Sequence, residues 1–283
     1  MITIRKAVPL CLCWIFSIQA LASDPDSVTS FALPNTQKVT MKSPSGIGYE
    51  LVITLPASYK NSADKRYPVL YYTDAQWDAP LLNSIYSDLE FDRTIPEMMM
   101  VGISYSGEKP NYTLLRTKDY TPTNDKSFER DSGGGPAFLK FIKESVIPKV
   151  ETEYRIDSNR RAIAGWSFGG LFALYAMYSE PELFKRCVAI SPATQWHREY
   201  ISQLDDEFFK SNKTLNVRLF ISYAQNENAE FVASVAGFQN KLENRKMPQL
   251  QLMNYSVENM RHAGAKASAY AQGLAWVWAD IKP

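Results

Sequence analysis

The segment Gly165-Trp166-Ser167-Phe168-Gly169 lies between a short apolar run, Ala162-Ile163-Ala164, and a longer one from Leu171 to Tyr178. In that setting G-x-S-x-G marks a sharp turn from strand to helix, which strains the serine backbone and projects its hydroxyl above a sheet. The small flanking residues let strand and helix approach closely. A hydroxyl presented in this way is a candidate nucleophile for attack on a carbonyl, and it needs a neighbouring base to take its proton.

The chain holds two histidines, His197 and His262. Where a serine is carried on such a turn, the nucleophile comes first in the chain, then the acid, then a histidine after the last strand. His262 follows the apolar run Leu250 to Tyr255 by seven residues and satisfies that order. His197 precedes two further expected strands and does not; its segment, Ser191 to His197, either lines the pocket or stands on the surface. The acid belongs just after the run Val217 to Tyr223, where Glu227 and Glu230 are available. Glu227 is nearer the strand end, has less freedom to swing away from an imidazole, and is favoured. For the oxyanion, one backbone donor is expected at Phe168 and a second in Thr73-Asp74-Ala75-Gln76-Trp77, at Gln76 or Trp77, with Gln76 preferred. Trp77, Trp166 and Trp196 fall at expected strand C-termini, where they either form an aromatic substrate pocket or serve packing alone.

The elements that must position these residues follow from periodicity. Val39 to Lys42 and Tyr49 to Leu55 alternate like half-buried strands around Ser43-Pro44-Ser45-Gly46, an opening antiparallel hairpin. Continuous apolar runs then recur at 69–72, 98–103, 161–164, 187–190, 217–223 and 250–255, as strands buried on both faces require. Helical spacing separates them: a stripe from Phe138 to Val150 entered at Pro136, then Leu171 to Tyr178, Phe231 to Leu242 and Ala265 to Ala279. The fold class is therefore α/β, a mostly parallel sheet of about eight strands with helices on both faces. Ser106 to Gly135 reads as a long polar loop of the kind that carries function.

Residues 1–22 have the form of a signal peptide: Arg5 and Lys6, an apolar stretch from Ala7 to Phe16, and Ala20-Leu21-Ala22 ahead of polar residues. The expectation is an exported protein, periplasmic or secreted, whose residues 23–283 form a single domain without a stable membrane anchor. The full chain has 31 basic and 30 acidic side chains; loss of Arg5 and Lys6 leaves 29 against 30, a net charge of −1. That balance argues against nucleic acid as a partner. Cys11 and Cys13 leave with the leader, so Cys187 has no internal disulfide partner. Met98-Met99-Met100 reads as strand packing, and Gly133-Gly134-Gly135 lacks the spacing of a phosphate cradle.

Gly165 to Tyr175, followed by Pro181-Glu182-Leu183-Phe184 and Ser191-Pro192, resembles the esterase D-like branch of the α/β hydrolases, the "putative esterase" family. Tyr67-Pro68-Val69-Leu70-Tyr71 with Asp74, Arg116 with Asp119-Tyr120-Thr121-Pro122, and His262 with Gly273-Leu274 extend the resemblance over residues 45–278. Two positions depart from it, Ala75 and Ala224, where relatives commonly carry glycine. The resemblance implies the α/β-hydrolase fold and a family that includes S-formylglutathione hydrolases, feruloyl and acetylxylan esterases, trilactone siderophore esterases and mycolyltransferases. In some periplasmic trilactone esterases a serine–histidine pair works without a well-placed acid.

Together these observations describe an exported serine hydrolase of small carboxylic esters, working through Ser167, His262 and Glu227 and an acyl-enzyme, with no metal or organic cofactor. Within that class a trilactone siderophore esterase and an acyltransferase are the alternatives. From another class, the alternative is a ligand-binding protein that kept the fold and lost catalysis.

Overall fold

The computed structural model describes residues 31–211 and 214–281; the signal peptide expected at 1–22 lies outside them. Eight strands form one sheet in the order β1-β2-β4-β3-β5-β6-β7-β8. They are β1 (Thr36–Lys42), β2 (Gly48–Thr54), β3 (Tyr67–Tyr72), β4 (Met99–Tyr105), β5 (Ile156–Trp166), β6 (Arg186–Ile190), β7 (Arg218–Ala224) and β8 (Gln251–Val257). β1 pairs antiparallel with β2, and β2 antiparallel with β4; every later pairing is parallel. The unalternating runs stand where covering on both faces demands them: every residue of β3, β4 and β6 is buried, whereas the edge strand β1 is largely exposed and the edge strand β8 mostly half-buried.

Helices α1 (Ala75–Phe91) and α8 (Lys266–Trp278) cover one face, joined to the sheet through Leu82, Tyr86, Tyr270, Leu274 and Trp278. The other face carries α2 (Tyr112–Tyr120), α3 (Gly135–Phe141), α4 (Ile147–Glu153), α5 (Phe168–Ser179), α6 (Trp196–Lys210) and α7 (Ala229–Arg245). α5 is buried along nearly its whole length, which is why its sequence is apolar all round rather than striped.

Three local expectations are corrected. The stripe from Phe138 to Val150 is not one α-helix: a wider turn over Ile142–Val146 separates α3 from α4. Pro148 has no N–H to give the carbonyl four residues earlier, and the widened turn lets the chain continue past it. The segment Thr73 to Trp77 is loop only as far as Asp74, because α1 starts at Ala75. Finally, the long polar segment after β4 contains α2. Its buried side is made of Arg116, Thr117, Asp119 and Tyr120, so no apolar stripe announces it. It is held by its caps: Asn111 accepts the Leu114 N–H, and the Thr117 and Thr121 hydroxyls donate to carbonyls one turn back.

Asp119 on α2 is buried and accepts a 2.7 Å hydrogen bond from the Tyr49 hydroxyl. Burial pushes its pKa up to about 6, against the pull of the tyrosine hydroxyls and Lys118. The unfolded chain releases this proton near pH 4, whereas the folded protein holds it to about pH 6. Stability from this group is therefore fullest below pH 4 and falls as pH rises through that window, by about 2–3 kcal/mol. Asp119→Asn keeps the acceptor and removes the titration. Urea unfolding at pH 4.5 and pH 7 should show the variant gaining on the parent protein as pH rises.

Candidate active site

Ser167 sits between β5 and α5 at φ 60°, ψ −119°, a conformation that strains any residue with a side chain. Its backbone is tied on both sides: its N–H donates to the Ile190 carbonyl and its carbonyl accepts from Leu171. The tightness of the turn explains the glycines. A Cβ on Gly165 would stand 2.2 Å from the Gly169 carbonyl oxygen, and one on Gly169 would stand 2.2 Å from Thr73 Oγ1. The serine is half-buried at the first turn of α5, where unpaired N–H groups and the helix dipole favour negative charge.

His262 lies in the loop between β8 and α8, and its Nδ1 is 3.1 Å from Glu227 Oε1. The Glu227 side chain is 2% exposed and that of His262 35%, so the acid is enclosed while the imidazole reaches the surface. Of the two carboxylates considered, it is Glu227 that meets the histidine; Glu230 stands exposed in the first turn of α7. Aromatic rings fix the imidazole plane. Trp166, the residue before Ser167, has its ring centre 4.5 Å from that of His262 and donates its indole N–H to the His262 carbonyl at 3.1 Å. Phe231 meets the imidazole edge-on at 5.1 Å. No hydrogen bond joins Ser167 to His262 among the described residues; Trp166 provides the link between their segments. Apo sites are often loose at this contact, which tightens when substrate is in place.

On the other side of Ser167, the turn before α1 is locked by a buried ion pair. Asp74 has left-handed backbone, φ 59°, and its carboxylate takes two bonds from Arg116, Nε to Oδ1 at 2.9 Å and Nη2 to Oδ2 at 2.8 Å. The Asp74 N–H donates to the Tyr120 hydroxyl at 3.1 Å. Arg116 is also surrounded by the rings of Trp77, Tyr120, Trp166 and Phe168, with centres 5.5–5.9 Å from the guanidinium carbon. The residue needing positive φ is Asp74 and not its successor, which is why Ala75 is accommodated where glycine was expected. Ala224 likewise has ordinary backbone, and its N–H points to Glu227 Oε1. The Trp77 N–H is used within the first turn, donating to the Asp74 carbonyl. Among the described residues the N–H groups of Gln76 and Phe168 have no acceptor, so both are free to bind an oxyanion.

The three tryptophans have different surroundings. Trp77 is 45% exposed at the rim, edge-on to Tyr112. Trp166 is half-buried and engaged with His262. Trp196 is 6% exposed, packed edge-on against Phe128 and Phe168 with its N–H on Thr123, so it supports the wall instead of meeting a ligand. His197 stands 2.8 Å from the same Thr123 hydroxyl, in a left-handed turn with Arg198 and Glu199. A pocket of about 330 Å³ opens beside the histidine and acid, lined by Asn226, Glu227, Asn228, Phe231, Arg261 and His262. No cluster of metal-ligating side chains occurs among the described residues.

Residues 46–268 match the model of the family described as "Putative esterase". The chain belongs to this esterase family. It is 31% identical over 215 residues to the ferri-bacillibactin esterase BesA of Bacillus subtilis, a match that covers 67% of this chain and 71% of that one. It is 26% identical over 197 residues to the siderophore triacetylfusarinine C esterase of Aspergillus fumigatus, 66% of each chain. The crystal structure of the BES protein from Bacillus cereus superposes with a TM-score of 0.80 at 22% identity, covering 89% of this chain and 97% of that one, and shares its α/β-hydrolase fold.

In this esterase the residues that sequence reasoning left without a role are Arg116 and Asp74. No local signal marked their pairing, since Arg116 lies in the polar segment after β4 and Asp74 is 42 residues away. Arg116→Leu leaves the Asp74 carboxylate buried without its cation. A loss of about 3–5 kcal/mol is expected in chemical unfolding; Arg116→Leu combined with Asp74→Asn should recover much of it.

Proposed function

We propose that this esterase is an exported serine hydrolase of carboxylic esters, in which Ser167, His262 and Glu227 act as nucleophile, base and acid. The leader at 1–22 directs export and 23–283 is the catalytic domain. The observation that carries the reading is the contact of His262 Nδ1 with a carboxylate enclosed in the protein, beside a serine on a strained turn. An imidazole held that way presents Nε2 to the serine side as the acceptor tautomer, and the enclosed carboxylate stabilises the imidazolium once it forms.

The reaction runs from these positions. Ser167 Oγ attacks the ester carbonyl as His262 takes its proton, and the oxyanion is met by the N–H groups of Phe168 and Gln76 at two helix N-termini. His262 returns the proton to the departing alkoxide, leaving the acyl group on Ser167. Water, deprotonated by the same histidine, then releases the acid. None of these steps calls on a cofactor.

For substrate, the names of the curated relatives point to ester-linked siderophores. The aromatic rim at Trp77 and Tyr112 suits a bulky ring-bearing lactone. Ser167→Ala should abolish hydrolysis of p-nitrophenyl acetate and of a catecholate trilactone and remove labelling by a fluorophosphonate, with the thermal transition unchanged. Labelling that persists in the variant would place the nucleophile elsewhere. A parent protein active on short acyl esters but not on the trilactone would retain the chemistry and refute the substrate class.

A further inference from the structure

Ser191 follows β6 and is completely buried, yet its backbone is left-handed at φ 39°. A residue with a Cβ is held there only when its surroundings over-determine it, and such strain gathers where geometry serves function. The surroundings are identifiable. Its N–H donates to the Ser222 carbonyl of β7 at 2.8 Å, and two residues on, the Ala193 N–H donates to the carbonyl of Ser167 at 3.2 Å. Its side chain points the other way: Ser191 Oγ donates to Glu227 Oε1 at 2.6 Å, the shortest of that oxygen's contacts.

Glu227 has no lysine or arginine partner in contact among the described residues. Its charge is met by three donors that all converge on Oε1: Ser191 Oγ, the Ala224 N–H at 3.3 Å and His262 Nδ1 at 3.1 Å. Oε2 is buried and receives no hydrogen bond there. The arrangement is one-sided, so the carboxylate's orientation is set by the groups holding Oε1. The Ala224 contact is long and His262 is the group to be positioned, which leaves the serine hydroxyl as the strong fixed donor.

We propose that Ser191 is a positioning residue for catalysis: its hydroxyl orients the Glu227 carboxylate so that Oε1 faces His262. This rests on the reading of Ser167, His262 and Glu227 given above. The strained backbone is what aims the hydroxyl across from the strand end toward the acid. Glycine would satisfy the backbone at that φ with less strain and could not make the bond, which separates the two roles.

Ser191→Gly should therefore fold with an unchanged or higher melting temperature while kcat falls about ten- to a hundredfold and KM changes little, the range expected for losing one hydrogen bond to a charged group. Ser191→Ala should lose activity similarly. The decisive comparison is with Glu227→Gln: if Ser191 acts through the acid, Ser191→Gly should cost little further activity in that background. Parent-like kcat in Ser191→Gly, or a full independent loss on top of Glu227→Gln, overturns the proposal. A second readout does not need turnover. With two histidines in the chain, the hydrogen-bonded Nδ1 proton of His262 is assignable by NMR through a His197→Gln control. Its resonance should move upfield in Ser191→Gly; an unmoved resonance refutes the positioning role, even if the protein proves inactive on every ester tried.

Discussion

The bidentate bond between Arg116 and Asp74 is the constraint on which the rest of the site depends. Burying both charges is costly, and the pair is tolerable only because its geometry is good and its surroundings supply further partners. What it secures is a left-handed residue at the start of α1, and with it the direction in which the Gln76 amide points. The same guanidinium packs against Trp166 and Phe168, the neighbours of Ser167 on either side. One cation thus fixes the turn ahead of α1 and braces the turn that carries Ser167.

The first turn of α1 also reaches the histidine side. Asp78, one turn after Asp74, is buried between Lys266 and the Tyr270 hydroxyl, both on α8. Lys266 stands over Trp166 with its ammonium 4.7 Å from the ring centre, and Trp166 in turn holds the His262 carbonyl. Two aspartates on one helical face therefore hold opposite flanks of the serine, Asp74 through α2 and Asp78 through α8. This gives an unusual weight to a helix that contributes one backbone amide to the proposed chemistry.

How much of this is legible in the sequence depends on what kind of force does the holding. The central strands are readable because a short apolar run without alternation suits a strand covered on both faces, and α5 because it is apolar throughout. Ser167 and the order of His262 after it are readable because the turn leaves a residue pattern. Glu227 is preferred over Glu230 by its distance from the strand end, and the contact with His262 agrees with that reason. The helix α2 is not readable, since the face it buries is polar and its partners lie far away in the chain: Asp74 for Arg116, and Tyr49 for Asp119. Trp196 is placed in the pocket by strand-end position alone, and position does not reveal which way a large ring turns.

The polar face of α2 makes its stability depend on distant parts of the chain. A helix of nine residues gains too little from its own hydrogen bonds to persist alone, and this one has no apolar stripe to draw it onto a collapsing core. Its place is held instead by Asp74 and Tyr49, which receive Arg116 and Asp119. The turn ahead of α1 and the helix α2 are thus stabilised by the same buried pair, and neither is complete without the other.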